Sequence, residues 1–341
     1  MSQFVIRGAE IEDLNQVFSL AEQFALLNLP PDKKVLRSKI EASVESFSGL
    51  RRKEDGEFVF LVEDLETGTI AGSSLILAKH GTVDRPHFYF DLIKKDHYSK
   101  DLGLGFIHQV LRLGIEHDGP TEIGGLLVDR NYRRRPEKIG RQASLVRFQY
   151  MAMFPKNFQD TILCEFAPPL TEEGRSEFWE ALGRRFTGLP YQEADMISQD
   201  NKEFIKTLFP QGDIYLCLLD SKARLVVGRV SSETKPAQHM LEKLGFSYRE
   251  QVDPFDGGPH YSASRKDIRL VKESKKTKIE NLERGMTLES KGFLGLQREG
   301  RYRSVYTPYT LKEQVAFVPE KVLDVLQVSK GEEVWLSPYG N

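Results

Sequence analysis

The chain has 341 residues, 40 % of them hydrophobic and 29 % charged, with a formal net charge of −2. A near-neutral chain of this length holds apolar material for more than one core and gives no general ground for nucleic-acid or membrane binding, so any basic patch must be local. No apolar run approaches the ~18 residues of a membrane-spanning helix. The first seven residues pattern as a strand rather than a signal peptide, and Cys164 and Cys217, both in apolar runs, are expected to be buried thiols. The default setting is cytoplasmic.

In chain order, Phe4 to Arg7 forms a strand. Asp13, Leu14, Val17, Phe18, Ala21 and Phe24 then recur at helical spacing, and Leu36, Ile40, Val44 and Phe47 mark a second helix. Phe58 to Glu63 and Ile70 to Ala78 form a hairpin, turned at Asp64-Leu65-Glu66-Thr67-Gly68. A strand follows from His87 to Ile93 and a helix is expected over Leu104 to Glu116. The Gly-x-Gly of Gly103-Leu104-Gly105 lacks the third glycine of a dinucleotide fingerprint and is a turn before that helix. A strand from Glu122 to Val128 feeds a basic turn, Asp129 to Gly140, and a helix from Arg141 to Met153. Thr161 to Phe166 is a strand and Arg175 to Gly183 a helix. Val226 to Val230, β-branched, reads as a strand. A polar turn then leads to a helix that starts at Pro236 and stops at Leu244-Gly245-Phe246, with Pro and Gly in their favoured places. Phe178 to Phe186 echoes Met240 to Phe246, which points to a duplicated unit with a reduced second copy. Residues 265–278 form a basic run expected to be a solvated linker, and the alternating pattern beyond it suggests a small β-rich module. The expected division is 1–189, 190–275 and 276–341.

Strand, polar turn, helix and Leu-Gly-Phe resemble the way acyl-CoA-dependent N-acyltransferases of the GNAT superfamily close their fold. More specifically, the chain resembles the arginine/ornithine N-succinyltransferases. The likeness is carried by Phe60-Leu61-Val62-Glu63-Asp64, His117-Asp118-Gly119, Val128-Asp129 with Tyr132-Arg133, Phe178-Trp179, Leu182-Gly183, Ala194-Asp195, Thr234 with Pro236-Ala237, and Phe255-Asp256-Gly257-Gly258-Pro259. The resemblance implies an α+β fold of two GNAT-like halves with mixed, mostly antiparallel splayed sheets, plus the C-terminal module. It also implies transfer of succinyl from succinyl-CoA to the α-amino group of arginine. The expected partners are a small amine and an acyl-CoA, with no permanently bound cofactor, no nucleic acid and no membrane. Assembly as a homo- or hetero-oligomer with a related subunit is compatible with it.

Acyl transfer needs donors for the CoA pyrophosphate, polarisation of the thioester oxygen and a route for the amine proton. For the pyrophosphate, the turn before the 141–153 helix offers helix-terminal N–H groups with Arg133, Arg134, Arg135, Lys138 and Arg141, and Gly140 permits close approach. The resemblance puts the thioester contact on the backbone of the preceding strand, at Leu126 and Val128. It also puts the family's histidine position on Ser231, a poor base. Glu233 nearby, Glu165 with a pKa raised by burial, His260 on a surface loop and His239 on an exposed helix face are the other proton carriers to weigh. An already neutral amine would need none of them. Family arginines fall on Asp91 and Ala167, and a hydroxyl pair falls on Leu27-Asn28. Asp195 and Asp256 match the family and could hold a cationic acceptor, as could Asp91. No Cys-x-x-Cys, His-Glu-x-x-His or Walker loop occurs, so no metal is expected.

Overall fold

A computed structural model describes residues 4–24, 29–200 and 202–340; Leu27-Asn28 lies outside them. The elements, in order, are β1 (Phe4–Gly8), α1 (Leu14–Ala21), α2 (Lys33–Phe47), β2 (Glu57–Asp64), β3 (Thr69–Leu77), β4 (His87–Ser99), β5 (Leu104–Glu116), β6 (Thr121–Val128), α3 (Ile139–Met153) and β7 (Thr161–Glu165). They continue with α4 (Glu177–Ala181), α5 (Gly183–Thr187), α6 (Tyr191–Asp200), α7 (Glu203–Leu208), β8 (Ile214–Tyr215), α8 (Ser221–Val226), α9 (Lys235–Glu242), β9 (Ser247–Val252), β10 (Pro259–Ser264) and α10 (Arg269–Glu273). The last stretch holds β11 (Lys275–Asn281), β12 (Ser290–Arg298), β13 (Arg301–Lys312), β14 (Val315–Val318), α11 (Lys321–Leu326) and β15 (Glu333–Pro338). The class is α+β, as expected.

The chain divides into two compact units built from interleaved segments. The first comprises Met1–Ala78, Thr121–Asp160 and Ser264–Asn341, and the second Lys79–Pro120 and Thr161–Ala263. The boundary expected after residue 189 therefore falls inside the second unit, and the one expected after residue 275 falls inside β11. The physical reason is strand pairing: β1 bonds to β13 at Ile6↔Ser304 and Arg7↔Arg303, so the C-terminal strands extend the N-terminal sheet.

In the first unit the strand order is β12-β15-β11-β14-β13-β1-β2-β3-β6, and an additional β12–β13 pairing closes the last five strands of the chain on themselves. Closure leaves those strands without an open edge. Their interior is filled by Val5, Ile279, Leu294, Val305, Val318, Val334 and Leu336, all buried. Gln149 on α3 reaches this barrel. Its Nε2 donates to the carbonyls of Phe293 and Trp335 at 3.1 Å each, and its Oε1 accepts from the hydroxyls of Tyr302 (2.8 Å) and Ser304 (2.6 Å). The side chain is fully buried, and every donor and acceptor of the amide is used.

The second unit orders its strands β7-β10-β9-β4-β5-β8. Its core packs Phe88, Phe90, Leu111, Phe178, Trp179, Phe209 and Phe255. Trp179 stacks on Phe255 with centroids 5.2 Å apart, and its Nε1 donates to the Leu189 carbonyl at 2.9 Å.

Four local expectations are corrected. Leu104 to Glu116 is a strand, because it pairs residue by residue with β4 from His87↔Glu116 to Ser99↔Leu104. The Gly-x-Gly at its start turns a hairpin, with Gly103 at φ +63°. Gly114 lies under the ring of Tyr89, where a Cβ would come within 2.4 Å of a ring carbon, so this glycine serves a cross-strand contact. Val226 to Val230 is not a strand: α8 ends at Val226 and Gly228 takes φ +69°. The two Leu-Gly segments thus lack a shared strand context, which removes the support for a repeat at that point. The basic run 265–278 holds α10 and the start of β11, where Thr277 is buried and pairs with Val334, so it is not a solvated linker. Cys217 is exposed, whereas Cys164 is buried as expected, and both are free thiols.

Replacing Gln149 by Leu takes the amide partner from two carbonyls and two hydroxyls in the barrel wall, and only the Ser304 hydroxyl has a second acceptor, the Leu294 carbonyl, at hand. It is expected to lower stability by about 2–4 kcal/mol, read as a reduced urea midpoint. An unchanged midpoint would mean that the amide is not what joins α3 to the barrel.

Candidate active site

In the first unit, β6 leads into the basic turn. β3 and β6 pair at Ser73↔Leu127 and Leu75↔Gly124, so Ser74 faces both Gly125 and Leu126 in a bulge. Gly125 takes φ +58° there. Ser73 Oγ donates to the Gly125 carbonyl (3.0 Å), and Arg147 Nη1 donates to the Gly124 carbonyl (3.2 Å). A bulge re-aims backbone groups, and it falls at Leu126, whose side chain is half-buried, as is that of Val128.

Beyond Val128 the chain turns through Arg134 and Lys138, both at left-handed φ (+60° and +54°), before α3 begins. No side chain caps the N-terminus of α3, so its positive end is left to solvent or an anion. Arg133 donates to the Val128 carbonyl (3.2 Å) and lies 4.6 Å over the Phe24 ring. Arg135 lies 4.2 Å over Tyr132, and Arg141 4.4 Å over Tyr339. Stacking fixes these guanidinium groups without discharging them. Gly140 packs near Val128, where a Cβ would sit 3.1 Å from a methyl. A cleft of about 620 Å³ opens beside Lys138 and Arg141 and is also walled by Lys291, Tyr306 and Pro308.

In the second unit, Glu165 ends β7. Three imidazoles converge on its Oε1: His87 Nε2 at 3.2 Å, His260 Nε2 at 3.4 Å and His80 Nε2 at 3.9 Å. They come from the start of β4, the start of β10 and the segment before β4. The rings pack on one another, His80 on His87 with centroids 4.4 Å apart and His87 on His260 at 5.4 Å. His87 and His260 are buried, whereas the His80 side chain keeps 17 % exposure and that of Glu165 25 %. Burial pushes the Glu165 carboxyl up, but the charge of His260, a hydrogen bond from His87 and the charges of His80 and His87 hold it well below the usual carboxylate range. Burial pulls the His87 imidazole down, while Glu116 and Glu165 raise it above its usual value. The expectation of Glu165 as a base with a raised pKa is therefore overturned: its neighbours keep it ionised. His260 is interior, not on a surface loop.

The ligand atoms of His80, His87 and Glu165 lie within 4.8 Å of one another, as do those of Glu165, Asp253 and His260. Further acids lie close by. Burial and the charge of Asp253 push Asp195 up to about 7; burial and the charge of Glu165 push Asp253 up to about 6. Asp256 is also raised, by burial and by Asp253. Asp256 Oδ1 accepts from the Gly258 N–H (2.7 Å), and Asp253 Oδ1 from Phe255 N–H (2.7 Å), so both brace the 253–258 turn. Asp91 accepts from Gln251 Nε2 across the β4–β9 pair (2.9 Å).

Ser231 and Glu233 stand in the turn entering α9. The Ser231 hydroxyl is 2.9 Å from Thr234 Oγ1, its N–H donates to the Ala167 carbonyl (3.0 Å), and Glu233 is exposed. The groups gathered at Glu165 are His80, His87, His260 and Asp253, not these two. Sequence reasoning missed His80 and His87, lone histidines on either side of a turn. Pro86-His87 opening an aromatic strand was the one signal available.

A family model described as "Arginine N-succinyltransferase beta subunit" matches residues 4–270. The chain belongs to the arginine N-succinyltransferase family. It is 34 % identical over 278 residues to proteins named arginine N-succinyltransferase from Shigella dysenteriae and Escherichia coli, covering 81 % of this chain and 80 % of each relative. The solved structure described as arginine/ornithine succinyltransferase subunit AI from Pseudomonas aeruginosa superposes with a TM-score of 0.86 at 26 % identity, covering 100 % of both chains. As a member of the arginine N-succinyltransferase family, the chain is an acyl-CoA-dependent N-acyltransferase. Among the described residues no helix is long and apolar enough to cross a membrane.

The segment carrying His80 is held by two backbone bonds, His80 N–H to the Pro120 carbonyl (2.7 Å) and Gly119 N–H to the Gly81 carbonyl (3.1 Å). A Cβ on Gly119 would sit 1.9 Å from the His80 carbonyl oxygen. Gly119→Ala is expected to cost about 2–3 kcal/mol and to shift the His80 ring resonances in an NMR spectrum. A variant with wild-type stability and unshifted resonances would show that the segment tolerates the methyl.

Proposed function

We propose that this chain transfers the succinyl group of succinyl-CoA to the α-amino group of arginine, in cytoplasmic arginine breakdown. The observation that carries this reading is the 34 % identity to proteins named arginine N-succinyltransferase along 81 % of the chain. The site chemistry supports it. The cationic turn and open α3 terminus suit phosphate groups, so the CoA pyrophosphate is assigned to Arg133, Arg135, Gly140 and Arg141, and the thioester to the bulge at Leu126 with Val128. Asp195, Asp253 and Asp256 repel one another in a buried setting, and a guanidinium would relieve that repulsion. Asp195 and Asp256 are the acceptor-binding pair in this reading.

The amine nitrogen attacks the thioester carbonyl as the neutral base. The C–N bond forms, the C–S bond breaks, and the proton lost by nitrogen ends on the departing thiol. Ser231 is assigned no proton: its hydroxyl is spent on the turn into α9. The Pseudomonas aeruginosa relative is described as a subunit, which supports assembly with a second chain as part of this reading.

Thiol release from succinyl-CoA in the presence of arginine should be catalytic. Ser231→Ala and Glu233→Ala should each stay within about twofold of wild type. Asp195→Asn should raise KM for arginine about tenfold (~1.4 kcal/mol) with a smaller change in kcat. Succinyl-CoA binding without thiol release across a panel of amines would sink the proposal.

A further inference from the structure

We propose that His80, His87 and Glu165 form a binding site for one divalent first-row transition-metal ion, with His260 set against the same carboxylate oxygen. The inference rests on the geometry of the second unit alone and stands whether or not the chain succinylates arginine.

Glu165 Oε1 is 3.2 Å from His87 Nε2 and 3.9 Å from His80 Nε2, and all three ligand atoms lie within 4.8 Å. Zinc–imidazole and zinc–carboxylate bonds of about 2.0–2.2 Å at tetrahedral angles put neighbouring ligand atoms roughly 3.3–3.5 Å apart. The two spacings to Glu165 Oε1 bracket that value. They are less natural for hydrogen bonds: an N–H···O bond spans about 2.7–3.2 Å, and of the three imidazoles on this oxygen only His87 reaches that range.

A divalent ion takes imidazole Nε2 lone pairs and a carboxylate oxygen as ligands. The other ring nitrogen of His87, Nδ1, lies 3.9 Å from Glu116 on the side away from Glu165. Three protein ligands leave a position open to water or to a substrate oxygen. The donor set contains imidazole and carboxylate and no thiolate, which suits zinc, iron, cobalt or nickel. Glu165 is far in sequence from His80 and His87, and the seven-residue step between the two histidines matches no familiar metal-binding motif, so the chain alone points to no metal.

The test uses the full chain stripped with a chelator and titrated with Zn²⁺ by calorimetry, and with Co²⁺ by visible absorption. One ion per chain should bind, with cobalt d–d bands of a low-coordinate N/O site. His80→Ala, His87→Ala and Glu165→Gln should each weaken binding by about 10–100-fold. His80 is partly exposed, so its variant should fold; a Zn²⁺-dependent rise in melting temperature present in wild type and absent in His80→Ala provides a second readout. Wild type that takes up no ion, or ion uptake undiminished in all three variants, would overturn the proposal. Thiol release is measured separately, so an inactive chain that still binds one ion at this cluster would count against the succinyl-transfer reading only.

Discussion

The constraint on which the second unit turns is the carboxylate of Glu165. A charge at the end of β7 must be balanced where it stands, and the balancing groups come from three other places in the chain: His80, His87 and His260. Each is delivered by a different device. β10 lies beside β7, with Phe166 N–H on the Pro259 carbonyl at 3.1 Å, so His260 arrives by sheet pairing. His87 opens β4, whose long pairing with β5 places Glu116 opposite it. His80 arrives through the bonds to Gly81, Gly119 and Pro120, which only an unsubstituted residue 119 allows.

The first unit solves a different problem. It must present a cationic turn at the start of α3 without letting five basic side chains collapse or repel. Aromatic rings under Arg133, Arg135 and Arg141 hold three of them in register. α3 is in turn fixed by Gln149, whose amide is consumed by the closed C-terminal strands. The barrel thus has a mechanical part in the site. It is the anchor of the helix whose uncapped N-terminus follows the basic turn.

Much of this was legible from residues. Hydrophobic periodicity located the N-terminal strand and helices, the β2–β3 hairpin, β6, α3 and β7, and the turn chemistry of Pro236 and Gly245 bounded α9. The family was legible from scattered segments. Misreadings came where local pattern is ambiguous. Leu104 to Glu116 carries apolar residues that suit either period, and its partner strand decided between them. Val226 to Val230 is β-branched, yet α8 and Gly228 claim it. His260 was taken for a surface residue because glycine and proline precede it, whereas the sheet carries it inward.

The sequence by itself determined the basic turn before α3, which follows from short-range spacing, and the class of fold and the family, which follow from a resemblance carried by segments spread along the chain. Only the tertiary structure decided the interleaving of the two units and the gathering of His80, His87 and His260 around Glu165. His80 and His87 lie seven positions apart, but Glu165 and His260 are far from them and from each other in sequence, and no local rule couples the set. What brings them together is strand pairing and the need to balance a carboxylate that the fold leaves only partly exposed.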